Sequence, residues 1–333
     1  MTECNVPCSL TEEQAMRRVK EYIRRIAENP VPGTATGTVL DEMVDASGKM
    51  IRARLILQCG RFGPAFGRQA DRLCQLAAIV ELTHLASLIH DDIIDDAPYR
   101  RGKPSVQSRF GKDAAVYAGD FLIARTQFWL AKEQLNAAAM RICAAVERMC
   151  IGEVGQDLCK YRTDSNVADY TRNIRGKTAS LFEAACAMGA EQAGCDEATV
   201  RTLERFGSAL GMLFQLRDDL LDFTSTAQQE GKQTHKDFRD GIYTLPVLLA
   251  MESDEGRAAL LPLMEKNSRE PLTDAEIGQM ERLVVQYGGV ARTREAIHRY
   301  AAEAGRALDE LGEHSAAKTL KGMLGKLDEP EHN

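Results

Sequence analysis

HLASLIHDDIIDDAPYRRGKPS (84–105) has a counterpart in FQLRDDLLDF (214–223): each spells D-D-x-x-D, at Asp91, Asp92 and Asp95 and again at Asp218, Asp219 and Asp222. On a helix the first and last of these carboxylates lie one turn apart on one face, with the middle one beside them. The first cluster follows an apolar stretch from Leu73 to Ile89, the second one from Leu210 to Leu216. Both therefore fall late in a helix, where the dipole favours cations. Aspartate is a mediocre helix former, and like charges one turn apart cost about 0.2–0.5 kcal/mol per pair. Two copies of so unfavourable a spacing argue against solvated helix ends and for a positive partner. An all-oxygen, multi-carboxylate site suits magnesium, which keeps waters and is commonly shared with a substrate's phosphates. The glycine and spaced ligands of an EF-hand loop are missing.

Working outward, helical periods fill the 333 residues and no series of alternating strands interrupts them. Ser9 to Glu12 reads as a capping box opening a helix to about Glu28. Further helices are expected over about 34–46, 50–61, 68–96, 112–134, 137–160, 166–189, 195–225, 241–252, 254–266, 273–286 and 288–311. Pro64, Gly102-Lys103-Pro104, Gly194, Gly231 and Pro271 punctuate them. No linker divides the chain and no short repeat marks a solenoid. The expectation is all-α, a single large helical bundle forming one domain over 1–333.

Hydrophobic residues make up 44% and charged residues 27%, as in a soluble globular protein. A net charge of −7 argues against nucleic-acid binding, so an anionic ligand must be held by local cations or through metal. The nine cysteines form no CxxC pair and read as reduced structural thiols. The N-terminus lacks the basic start and apolar stretch of a signal peptide, and no run reaches 18 uninterrupted apolar residues. A cytoplasmic protein without a transmembrane segment is expected.

Candidate cations follow the acids. Arg100-Arg101-Gly102-Lys103-Pro104 forms a turn able to fold planar guanidinium forks back towards a phosphate. Lys49 and Arg52 lie three apart at a helix start, a reasonable anion site. Arg175-Gly176-Lys177-Thr178 makes a similar group, and Lys232 and Lys236 follow the second acid cluster.

These stretches resemble the two aspartate-rich motifs of the trans-isoprenyl diphosphate synthases, the polyprenyl synthetase family. GKMIRAR (48–54), GD (119–120), GEVGQ (152–156), KTA (177–179) and TLP (244–246) fall in the family's order, and the likeness runs from about residue 15 to 311. It implies a helical bundle around a central cavity. It also implies that Asp91, Asp92, Asp95, Asp218, Asp219 and Asp222 hold three magnesium ions on an allylic diphosphate, which Arg100 contacts. Lys49, Arg52, His84 and Arg101 would hold the diphosphate of isopentenyl diphosphate. Lys177, Thr178, Gln215 and Lys232 would line the reacting centre. Charge neutralisation lets the allylic diphosphate ionise, and the isopentenyl double bond then attacks C1. Loss of a proton, to the departing diphosphate, restores a trans double bond.

The chain departs from the pattern in places. The family's GKPxGxD reads Gly231-Lys232-Gln233-Thr234-His235-Lys236-Asp237, replacing the proline and the second glycine. Its Gly-Lys before Thr-Leu-Pro reads Gly241-Ile242-Tyr243. Asp96 is an extra acid.

Family members stop short products with bulky aromatics about one turn before the first aspartate cluster. Here Ala86 and Ser87 stand there, and a product longer than C20, with C30 to C40 the best match, is expected. The primer would be dimethylallyl, geranyl, farnesyl or geranylgeranyl diphosphate. A class I terpene cyclase would need neither the isopentenyl site nor a second DDxxD, and a non-catalytic partner subunit usually loses one cluster. The family default is a homodimer; a small regulatory subunit is the alternative.

Overall fold

Thr11 starts the first helix. Its hydroxyl accepts the Gln14 amide, and the Gln14 side chain accepts the Thr11 amide, closing a capping box two residues past the expected one. Ser9 lies outside the described residues, and Glu12 sits inside the helix, paired with Arg54. The computed structural model describes residues 10–44, 48–100, 102–224 and 235–328. The helices are α1 (Glu12–Ile26), α2 (Ala35–Val44), α3 (Ile51–Gly60), α4 (Phe66–Ile94), α5 (Val106–Phe110), α6 (Lys112–Lys132) and α7 (Asn136–Leu158). Then come α8 (Val167–Ile174), a π-helical turn (Arg175–Ala179), α9 (Ser180–Gln192) and α10 (Glu197–Thr224). The chain ends with α11 (Lys236–Arg239), α12 (Leu245–Ala250), α13 (Asp254–Asn267), α14 (Asp274–Gln286), α15 (Gly289–Glu310) and α16 (Ser315–Asp328).

The all-α expectation holds. Among the described residues the only strands are β1 (Tyr99–Arg100) and β2 (Lys103–Pro104), a two-residue antiparallel hairpin. Four short or polar elements escaped the periodicity: this hairpin, α5, α11 and α16. The expected helix over 241–252 is only α12, because Thr244 is its N-cap and Pro246 lies in its first turn, where a missing amide costs nothing.

The chain forms two compact units. One comprises the described residues up to Cys143 with Ala184–Leu203, the other Ala144–Glu183 with Glu204 onward. In the first, α4 packs against α1, α3 and α6. Its Leu73, Leu76 and Ile79 are fully buried, so this helix is core on most sides. By length and composition α4 could cross a bilayer, but 67% of its most apolar window is buried within the protein. In the second unit α12 packs on α8, α14 and α15, and α15 on α16. Cys59, Cys74 and Cys186 are buried as free thiols, whereas Cys143 and Cys150 are exposed.

Candidate active site

The first acid cluster closes α4. The Asp95 amide bonds to the Asp91 carbonyl at 2.8 Å, and Asp96 then adopts a left-handed conformation (φ 47°) that ends the helix. The hairpin follows at once, turning at Gly102 (φ 77°), and it folds Arg100 back onto the cluster. Arg100 Nε donates to Asp92 Oδ1 at 2.8 Å, and Asp92 is buried. Ser105 Oγ and Gln107 Nε2 both donate to the Ala97 carbonyl, at 2.7 and 2.9 Å, which fixes the return of the chain. Asp91 is half-buried and Asp95 exposed. Asp96 pairs with Lys112 at the surface, consistent with a solvated extra acid.

Elsewhere in this unit Arg52 is buried, His84 half-buried and Lys49 exposed. Met50, in a left-handed conformation, begins α3 without a side-chain cap; instead Glu81 of α4 accepts the Ala53 amide at 2.9 Å. A carboxylate from another helix thus serves the N-terminus carrying Arg52. Ala86 is fully buried, and the Ser87 hydroxyl is turned back to the His84 carbonyl at 2.9 Å. The Gly119-Asp120 pair also has a physical reason. A Cβ at Gly119 would collide with the His90 ring, whose Nε2 lies 3.2 Å from the Val116 carbonyl and 3.5 Å from Asp120.

The second unit gathers the other half of the predicted residues. Near the end of α10, Gln215 Nε2 donates to Asp219 Oδ1 at 2.7 Å, and Thr178 Oγ1 donates to Gln215 Oε1 at 2.5 Å. The Tyr170 hydroxyl donates to the other Asp219 oxygen. Asp218 is exposed, while Asp219 is buried. Asp222 accepts the backbone amides of Lys236 and Asp237, each at 3.3 Å, and its carbonyl accepts the His235 amide at 3.1 Å. Lys177 Nζ lies 3.0 Å from Glu153.

The π turn explains how Lys177 and Thr178 are presented. An extra residue per turn is frequent at functional sites. Here it faces glycine: a Cβ on Gly152 would lie 2.5 Å from both the Asn173 carbonyl and the Lys177 amide, and one on Gly176 would lie 2.5 Å from the Arg148 carbonyl. Backbone therefore packs on backbone between α7 and the π turn, which brings Glu153, next in sequence to Gly152, to Lys177.

Arg101 and Lys232 fall outside the described residues. Tyr170 and Glu81 were not singled out from sequence, and Glu153 and Asp237 stood only as members of the GEVGQ and 231–237 stretches; spatial proximity reveals what each of them faces. Burial pushes the Asp219 carboxyl up to about 6, with Asp222 adding to the rise and Tyr170, Gln215 and Lys177 opposing it. Burial, then Asp219 and Asp222, hold Asp237 well above the usual carboxylate range. Among the described residues no three His, Cys, Asp or Glu side chains converge tightly enough to hold a metal ion unaided. The donors nonetheless fit one. They are all oxygen, and the burial, reinforced by neighbouring carboxylates, that drives Asp219 and Asp237 upward is what a hard divalent cation offsets.

Residues 34–279 match the model of the polyprenyl synthetase family. The chain belongs to this family. It is 36% identical over 290 residues to heptaprenyl diphosphate synthase component 2 of Geobacillus stearothermophilus, covering 86% of this chain and 88% of that one. A decaprenyl diphosphate synthase from Rhodobacter capsulatus superposes with a TM-score of 0.84 at 30% identity, covering 95% of this chain and 96% of that one. A polyprenyl synthase from Caulobacter crescentus, solved with calcium and isoprenyl diphosphate, gives 0.84 at 28%, with 95% of each chain covered. As a polyprenyl synthetase family member the chain is a prenyltransferase, as the resemblance of its motifs implied.

Proposed function

We propose that this enzyme condenses isopentenyl diphosphate with an allylic diphosphate, head to tail, to give an all-trans polyprenyl diphosphate longer than C20. The observation that carries it is the pair of D-D-x-x-D clusters, each closing a long helix and each with its middle aspartate held by protein donors. The curated relatives whose names state a length support it, since heptaprenyl, octaprenyl and nonaprenyl denote C35, C40 and C45, the first two inside the expected C30 to C40 window. Geranylgeranyl (C20) synthases, by contrast, share the fold at 25–28% identity.

Asp91, Asp92, Asp95, Asp218, Asp219 and Asp222 would hold the magnesium ions, about three per site. Asp92 and Asp219 would do so from orientations fixed by Arg100 and by Tyr170 with Gln215. When bound, the metal supplies Lewis-acid neutralisation of the diphosphate. Arg100, whose Nε and one terminal nitrogen hold Asp92, would turn its remaining N–H donors to the allylic diphosphate. Lys177, shared with Glu153, would exchange that partner for the leaving diphosphate. The Gln215 amide is oriented at both ends, so the second lone pair of Oε1 is fixed in direction and can steady a developing cation. Lys49, Arg52, His84 and Arg101 would hold the isopentenyl diphosphate, and Thr178 and Lys232 would complete the reacting centre. No protein base is assigned, because the departing diphosphate can take the proton.

A homodimer is supported by α7, whose Met140, Ile151, Val154 and Leu158 fall on one face and are all 60–75% exposed. The words "component 2" in the name of the Geobacillus relative favour a second arrangement, a catalytic subunit that needs a different partner. A cytoplasmic location is part of the same proposal.

The test is incorporation of labelled isopentenyl diphosphate into an allylic primer. Chelation with EDTA should abolish it and added magnesium restore it. Incorporation that persists without divalent metal, or cyclic hydrocarbon formed from primer alone, would contradict the proposal.

A further inference from the structure

His235 stands where the family pattern has its second glycine, and the backbone keeps the glycine conformation, at φ 56° and ψ 35°. Residues with a Cβ populate that region sparsely. The side chain is nevertheless buried, with only 6% of the residue exposed. Its Nδ1 is buried without a hydrogen-bond partner among the described residues. A strained backbone and an unsatisfied buried nitrogen at one position call for a compensating role.

The surroundings supply one. The ring meets Phe223 edge-on at 5.2 Å, and Phe223 directly follows Asp222 in α10. Nε2 lies 3.7 Å from Glu281 Oε2 of α14. The amide of His235 bonds to the Asp222 carbonyl, and the next two amides bond to the Asp222 carboxylate. A glycine could make the same turn, yet would offer no ring to lie against Phe223. Ring and backbone together thus clasp the end of α10 from two sides.

We infer that His235 is a positioning residue, whose ring, packed against Phe223 and facing Glu281, holds the left-handed turn that aims three consecutive amides at Asp222 and so sets the orientation of the second acid cluster towards its divalent ions. The inference rests on the metal reading of that cluster. It makes His235 act through Asp222, without touching substrate. Partners that orient a metal ligand typically alter affinity or activity 10–100-fold when removed.

The probe is Mn²⁺ with inorganic pyrophosphate, with free Mn²⁺ counted by electron paramagnetic resonance. Binding by the unaltered enzyme that is lost in Asp218→Ala establishes the metal reading; no binding by the unaltered enzyme sinks that reading and this inference with it. His235→Gly and His235→Asn both accept the left-handed turn and lack the ring. Each is expected to weaken Mn²⁺ binding about tenfold, and to raise the half-saturating magnesium concentration more than it lowers kcat. His235→Phe keeps an aromatic ring against Phe223 and should recover most of the affinity. Thermal melts confirm which variants fold, and with two ring-less variants the test survives the loss of one. Wild-type Mn²⁺ affinity in the ring-less variants, or a His235→Phe as weak as His235→Gly, would overturn the inference.

Discussion

Asp91 and Asp218 open their clusters on the accessible side, while Asp92 and Asp219 are buried against Arg100, Tyr170 and Gln215. Asp91→Ala or Asp218→Ala should therefore lower turnover by about a thousandfold or more while the melting temperature stays close to that of the parent. Steady-state assays beside thermal melts check this, and near-normal turnover in either variant removes the metal-cluster mechanism. At this scale the sequence was informative wherever chemistry repeats at fixed spacing. Six aspartates in two D-D-x-x-D groups could be found by eye, and so could Arg100, eight residues beyond Asp92. Tyr170 could not: it is 49 residues from Asp219, and a lone tyrosine on an amphipathic helix carries no mark of its hydrogen bond.

Helices were legible from periodicity because α4, α6, α7 and α10 each run for more than 20 residues. The four-residue α11 and five-residue α5 are too short to show a period, and α16 carries Gly322 and Gly325. The contact between α7 and the π turn was half legible: GEVGQ and KTA stood out as motifs, but not that they touch. Gly152→Ala should force that contact apart, costing about 1–3 kcal/mol in a denaturant titration. It should also lower kcat more than it raises KM, since Lys177 moves with the turn. The contact between α1 and α4 makes a different prediction. Burial acts to raise the Asp71 carboxyl, but hydrogen bonds from Tyr22, Arg18 and Gln75 outweigh it and leave the group below its ordinary value. A depressed folded pKa means stability that is present above the unfolded value, about 4, and is lost as pH falls through the folded value. Asp71→Asn should thus destabilise the protein at neutral pH, by less than about 1 kcal/mol because the half-exposed carboxylate is screened by water, and lose that difference in melts as pH falls below the unfolded carboxylate value.

For the whole molecule, the fold class was within reach of the sequence, since no stretch of alternating pattern competes with the helices. Its division into units assembled from separated stretches was not, because those stretches lie about 40 residues apart in the chain and nothing in composition marks the exchange. Product length belongs to this scale too. Ala86 is fully buried on α4, one turn or so from Asp91, so a larger side chain there must displace its neighbours or fill space otherwise left to the growing chain. Ala86→Phe should shorten the product, as sized after dephosphorylation; an unchanged distribution would place the floor elsewhere. The exposed apolar face of α7 predicts a dimer mass in light scattering, and Ile151→Lys with Val154→Lys should shift it towards monomer. The most direct measurement is to incubate the purified chain alone with magnesium, labelled isopentenyl diphosphate and farnesyl diphosphate, and to size the dephosphorylated products. A single all-trans series extending beyond C20 is the predicted result. Products that stop at or below C20, or a chain that elongates nothing even when a partner subunit is supplied, would contradict the account.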